Sequence, residues 1–370
     1  KVLTADGEGK MTRKQAFEHK MGEAFAYLRN PALVSIEDQM KWVLEQMGFG
    51  LNDSGIALNL ALADPADAFH NLRLLADQLD NVVEAGAVGA GMQSALVIAI
   101  LRAYAEIKRE GAVIAIETPE ILLHPSKINH FRAALRTLSR SHQVLVITHC
   151  PEFVNISRPE EIYLVRRSAL EGTKLVTCSP DQFDDGFRQE MALLDMPDSG
   201  RSRMFFARGV VLVTDAADKL AVTLTARSLQ MDFDQAGVEV IACGGKDNLL
   251  RYLELAEAFE IPAVVIAPSG SIGDDGNSGS YSWSRGRTAN PSNQQVNEAL
   301  QHRIKEHDLF WLHPNWGALA GLQTEGFDLL KETAGYFHSH PAEDLPRALV
   351  QAVERIYWLI GHERSDRGEE

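Results

Sequence analysis

Cysteine is scarce. The three cysteines, Cys150, Cys178 and Cys243, lie far apart and form no C-x-x-C pair. That argues against a disulfide framework or a cysteine-based zinc site and fits a reducing cytosol. Basic residues are outnumbered, 36 Lys and Arg against 51 Asp and Glu, for a formal net charge of −15. The protein as a whole is therefore not a basic nucleic-acid binder, and any DNA contact must use local patches or metal ions. No apolar run approaches the roughly 20 residues that span a bilayer. No signal-peptide pattern opens the chain, and no internal repeat is visible. A cytoplasmic protein without membrane attachment is expected. The first residue is Lys1 rather than Met, so the natural N-terminus is expected upstream.

What is present is a chain of 370 residues with 45% apolar content, enough for two or three packed domains. Its most informative stretch is 113–151. Two apolar runs, Val113–Ile116 and Val144–Ile147, flank a segment with Ile128, Phe131, Ala134, Leu135 and Leu138 at helical spacing. This predicts a strand, a crossover helix and a second strand, with each strand buried on both faces. Such strands carry chemistry at their C-terminal ends. Glu117, Thr118, Pro119 and Glu120 follow the first, and Thr148 and His149 the second.

Upstream, helices are predicted over 13–28 and 36–47, split at Asn30-Pro31, and again over 66–79, with 52–64 less regular. A phosphate-binding P-loop requires G-x-x-x-x-G-K-[ST]. Gly9-Lys10 match only its end, with Thr4 at the first glycine and Met11 at the hydroxyl, so D-G-E-G reads as a turn. A second Gly-rich turn, Gly86 to Gln93, opens a helix running to Arg109. Its N–H groups and helix dipole suit a phosphate, although such turns commonly just cap helices.

Downstream, Glu161–Arg167 and Lys174–Thr177 read as a hairpin. From Phe205 strands and helices alternate. Strands are predicted at Val210–Val213, Val238–Ala242, Ala263–Ala267 and Leu309–Leu312, and helices at 216–229 and 246–259. This is α/β, with a mostly parallel sheet. Domains are assigned at 1–180 and 205–370, with 181–204 a polar linker. Ser269 to Asn293 is Gly/Ser/Asn-rich with Tyr281, Trp283, Arg285 and Arg287. These residues could stack bases and pair phosphates, against a default reading of an exposed loop. His338 and His340 read as loop histidines rather than a metal pair. An amphipathic helix over 345–360 closes the fold.

I-E-T-P-E with Leu123-His124-Pro125, and T-H-C-P at Thr148–Pro151, resemble the ATPase of the OLD (overcoming lysogenization defect) nuclease family. The order of the second domain, with Cys243-Gly244-Gly245 and Ile261-Pro262, resembles a Toprim domain. The resemblance implies the C-terminal part of an ABC-type ATPase followed by a Toprim-like α/β domain, assembling as a dimer. It implies ATP and Mg²⁺ as cofactors and DNA as the substrate, in phage defence or DNA maintenance. Gly89, Gly91 and Gln93 match the signature loop that meets the γ-phosphate, Glu117 the residue that holds Mg²⁺ through water, and His149 the switch histidine. Thr118 stands where an acid should polarise the attacking water, and a hydroxyl cannot replace it. In the Toprim part, Thr214 stands at the first metal-binding Glu and Asp218 at the second, with Asp215 beside them. The acids that the family places near 267–271 and 312–317 are missing, and only Arg347 lies near the expected late basic residue. Nucleotide-dependent binding to DNA or to a protein partner, with ATPase and nuclease catalysis impaired, is the first expectation. An active endonuclease using displaced acids (Asp215, Asp218, Asp274 and Asp275, the last two read by default as solvated surface residues) and a structural subunit of an active homologue remain the alternatives.

Overall fold

The computed structural model describes residues 20–367, apart from 21, 25, 28–29, 50–55, 61–71, 79–80, 109–110, 122, 169–171, 196–198, 271–292, 323 and 325. The degenerate P-loop segment, most of the helix predicted over 13–28, and Tyr281 to Arg287 lie outside the described residues. The chain forms two compact units, Lys1–Phe153 and Val154–Glu370.

In the first unit, helix α1 (Pro31–Gln46) starts where Asn30 caps it. The Asn30 Oδ1 accepts the Leu33 N–H at 3.0 Å, and Pro31 at the first position has no N–H to lose. Strands β1 (Ile56–Leu60), β2 (Leu72–Gln78) and β3 (Asn81–Glu84) form an antiparallel sheet in that order. This corrects the helix predicted over 66–79. Leu and Ala favour a helix locally, but ladder pairing on both sides and burial of Ala76 decide for strand. Helix α2 (Ala90–Lys108) packs on α1. Strand β4 (Val113–Glu117), helix α3 (Pro125–Leu138) and strand β5 (Gln143–Ile147) form the predicted crossover, with β4 and β5 parallel.

The expectation that β4 and β5 are buried on both faces fails. Ile116 and Val146 pack with α1, α2 and α3 on one side. On the other, Val113, Leu145 and Ile147 are exposed, because the sheet has two strands and only one of its faces carries helices among the described residues.

The second unit begins with the hairpin of β6 (Leu164–Ser168) and β7 (Gly172–Val176), as predicted. The expected linker at 181–204 instead contains helix α4 (Asp185–Asp195). Its Phe187, Met191 and Leu194 are buried with Phe183 in the same core as β8 and α7. Then follow β8 (Gly209–Val213), α5 (Ala216–Ser228), the short α6 (Phe233–Ala236), β9 (Val238–Ala242), α7 (Leu249–Ala258), β10 (Ala263–Pro268), α8 (Asn293–Arg303), β11 (Leu309–Leu312), the short α9 (Trp316–Leu319), α10 (Gly326–Ser339) and α11 (Arg347–Arg367). The sheet order is β11-β10-β8-β9, and every pair is parallel.

All five residues of β8 are buried. Such a strand needs cover on both faces. Alternation sends Val210 and Leu212 to a core shared with α4, α7 and α8, and Val211 and Val213 to one shared with α5 and α11. Gly209 admits the close approach of α11: a Cβ there would lie 2.7 Å from Ile360. The reading of His338 as a loop residue is corrected, because it sits in the last turn of α10, and His340 stacks on Tyr336 at 4.0 Å. Among the described residues no helix is long and apolar enough to cross a membrane.

Candidate functional site

Two strand-end edges carry the candidate residues, one in each unit. In the first, Glu117 ends β4 opposite Ile147 of β5, and its side chain is exposed. Thr118 follows with φ +46°, a left-handed conformation that a β-branched residue rarely adopts. Its N–H donates to the Ile147 carbonyl at 2.7 Å, which extends the ladder by one bond. Glu120 turns back across the edge. Its carboxylate accepts the Thr148 hydroxyl and the His149 N–H, each at 2.8 Å. Thr148 Oγ1 in turn accepts the Cys150 N–H at 3.0 Å. Glu120 is therefore spent on holding the T-H-C-P loop, and the His149 ring, which follows β5, is left exposed.

Two further residues act locally. His124 caps α3, its Nδ1 accepting the Ser126 N–H at 3.3 Å, with Pro125 at the first helical position. Cys150 Sγ donates to Glu152 at 2.8 Å. Burial, then the Glu152 carboxylate, pushes its thiol up to about 12.

The Gly86–Gln93 turn is tied to itself. Gln93 Nε2 donates to the carbonyls of Gly86 and Val88, each at 3.0 Å. The Gly89 carbonyl accepts from Met92 and Gln93, and Gly91 lies in the first turn of α2. Among the described residues no hydrogen bond joins this turn to Glu117 or His149.

The second edge is the C-terminal end of the four-stranded sheet. Thr214 follows β8 and is buried. Asp215 caps α5, its carboxylate accepting the N–H groups of Ala217 at 2.8 Å and Asp218 at 3.1 Å. Asp218 is buried in the first turn of α5. Burial, and next the nearby Asp215, push its carboxyl well above the usual carboxylate range. The Gly244 and Gly245 N–H groups both donate to the Thr214 carbonyl, at 3.0 and 3.1 Å, in a turn whose φ angles of +78° and +150° require glycine. Ser269 and His313 follow β10 and β11, with Ser269 Oγ 2.7 Å from His313 Nδ1. The sequence reading covers both positions only as windows that lack the family's acids; their pairing depends on the side-by-side placement of β10 and β11.

A divalent cation needs several ionised oxygens. Here one neutral hydroxyl, one buried carboxyl whose pKa is raised by that burial and one capping carboxylate stand after β8. Among the described residues no three His, Cys, Asp or Glu side chains gather to hold a metal. Asp274 and Asp275 lie outside the described residues. The side chains described at this edge do not fit Mg²⁺.

A family model for the overcoming lysogenization defect protein-like Toprim domain matches residues 205–267, and one for an AAA ATPase domain matches 20–154. The OLD nuclease of Thermus scotoductus is 26% identical over 352 residues, covering 93% of this chain and 66% of the relative. Over most of its length the chain is similar to an OLD nuclease. The Old nuclease of Escherichia phage P2 is 24% identical over 190 residues, covering 48% of this chain and 32% of that protein. The C-terminal region of the Xanthomonas campestris OLD protein is a solved structure at 19% identity and TM-score 0.30, covering 44% of this chain and 98% of its own. The order of the two model matches is that of an ATPase region followed by a Toprim-like α/β domain.

Proposed function

We propose that this chain, a member of the OLD family on our reading, binds DNA through its Toprim-like edge without cutting it, and that ATP at the β4–β5 edge regulates the binding. The observation that carries the reading is the set of side chains at the strand ends. The one acid that stands at a family metal position, Asp218, is buried, and the residues that follow β8, β10 and β11 are Thr214, Ser269 and His313. Metal-activated water needs ligand charge that these residues do not supply.

At the first edge, Glu117 and His149 are exposed on adjacent strand ends, where a nucleotide-bound Mg²⁺ and a γ-phosphate would meet them. Thr118 cannot polarise water as a carboxylate does, so bound ATP is turned over slowly. Dimerisation, a cytoplasmic location and a part in phage defence or DNA maintenance belong to the same reading and rest on family membership.

The test is incubation of the full chain with supercoiled plasmid, ATP and Mg²⁺ or Mn²⁺, alongside Asp218→Ala. Intact plasmid together with a mobility shift on duplex DNA is the expected result. Nicking that disappears in Asp218→Ala would overturn the reading in favour of an active endonuclease. A melting temperature unmoved by ATP would remove its nucleotide half.

A further inference from the structure

Ser269 and His313 hold a hydroxyl against an imidazole just beyond two paired strands. Strands β10 and β11 run parallel, with Pro268 opposite Leu312. The ladder continues past both. The Ser269 N–H donates to the Leu312 carbonyl at 2.9 Å, and the Gly270 N–H to the Pro314 carbonyl at 2.9 Å. His313 lies in sequence between those two acceptors, so the backbone is fixed on either side of it. Asn297 of α8 adds a further tie, its Nδ2 donating to the Ser269 carbonyl at 2.9 Å. Gly270 permits the close approach of the two segments: a Cβ there would lie 2.7 Å from the Pro314 Cβ.

The side chains meet across this frame, with Ser269 Oγ 2.7 Å from His313 Nδ1. A neutral imidazole that carries its proton on Nε2 accepts the serine hydroxyl at Nδ1. A hydroxyl nucleophile and its general base need a separation of about 2.6–3.2 Å. Groups mounted on strand ends and tied by backbone hydrogen bonds keep such a distance better than groups on free loops. Ser269 is half-buried and His313 exposed, so both are within reach of a substrate and of solvent.

We propose that Ser269 and His313 form a metal-independent dyad that hydrolyses a carboxylic ester. Ser269 Oγ attacks the acyl carbon while its proton passes to His313 Nδ1. The bond from the acyl carbon to the alcohol oxygen breaks, and the alcohol leaves with that proton. Water then attacks the acyl-serine carbonyl and gives a proton to Nδ1. The carboxylic acid departs as that proton returns to Ser269 Oγ. Water is the only co-reactant, and neither nucleotide nor DNA takes part. A phosphodiester suits the site less well. Phosphoryl transfer spreads negative charge over three oxygens and relies on cations to neutralise it, whereas acyl transfer develops a single oxyanion.

The test uses the full chain in EDTA, without ATP or DNA. A fluorophosphonate probe, which reacts with activated serines, is expected to label the wild type at Ser269, as read by peptide mass spectrometry. p-Nitrophenyl acetate is expected to be hydrolysed, and Ser269→Ala to abolish both responses. His313→Ala is expected to slow both about a hundredfold, the contribution of a general base. Imidazole in the buffer should restore part of the lost rate to His313→Ala, which a purely structural role for His313 would not allow. A wild type unlabelled at Ser269, equal labelling rates in wild type and His313→Ala, or ester hydrolysis that survives in Ser269→Ala each overturns the dyad. Labelling at Ser269 without ester turnover overturns the hydrolysis. Should His313→Ala fail to fold, the same comparison is read from His313→Gln, which stays polar but takes no proton, and labelling equal to wild type overturns the proposal.

Discussion

Glu120 and Thr148, 28 residues apart in sequence, are joined by a 2.8 Å hydrogen bond across the ends of two parallel strands. The same carboxylate accepts the His149 N–H. Glu120 therefore sets the height of the loop that presents His149. Glu120→Ala leaves a hydroxyl and an amide without their acceptor, and is expected to cost about 1–3 kcal/mol. Thr148→Ala should cost less. A double-mutant cycle by urea unfolding should return a coupling of about 1 kcal/mol, and additive losses would show that the bond contributes nothing.

Thr118 adopts φ +46°. A non-glycine residue held there costs about 1–3 kcal/mol. Replacement by Gly removes that strain but returns about 0.5–1 kcal/mol through the freer unfolded chain. Thr118→Gly is therefore expected to raise the melting temperature slightly, and Thr118→Val, still β-branched, to leave it unchanged or lower it. A Gly variant that melts below wild type would show that the Thr118 side chain contributes more than its backbone costs.

Asp218 gives the stability a pH dependence of known sign. Its folded pKa lies well above 3.8, first through burial and then through Asp215. The folded state then holds a proton that the unfolded chain has released. Stability linked to this group is full below the unfolded pKa and falls as pH rises through the folded value. Asp218→Asn should match the wild type in acid and melt above it at neutral pH. Thermal melts across that range test this, and curves that stay parallel would mean that Asp218 ionises at its ordinary pKa.

The parallel sheet of the second unit was legible because Val210–Val213 and Ala263–Ala267 are unbroken apolar runs that end in turn residues, and runs of that kind have few alternatives. The β1-β2-β3 sheet was not legible. Leu72 to Gln78 has the composition of a helix, and only pairing with two other strands makes it a strand. Helix α4 carried a readable signal, since Phe183, Phe187, Met191 and Leu194 recur at helical spacing, but the surrounding acids and glycine suggested a linker. At the sites, the motif positions of Glu117, Thr118 and His149 were readable, whereas the hydrogen bonds of Glu120 and the pairing of Ser269 with His313 depend on which strand ends lie side by side. Sequence spacing does not encode those contacts.

Cys150 offers a chemical test of the first edge. Its thiol is pushed up to about 12, chiefly by burial and then by the hydrogen-bonded Glu152. Only the thiolate reacts with alkylating agents. At about pH 8.5, the ordinary thiol midpoint, Cys150 should therefore react far more slowly than a free cysteine. Glu152→Gln removes the anion that opposes ionisation, so alkylation of Cys150 by iodoacetamide, followed by peptide mass spectrometry, should speed up severalfold. Cys178 and Cys243 are buried, with thiols also pushed up, and should stay unlabelled in both proteins. An unchanged rate at Cys150 would leave burial alone as the cause and place the Glu152 carboxylate away from the thiol in solution.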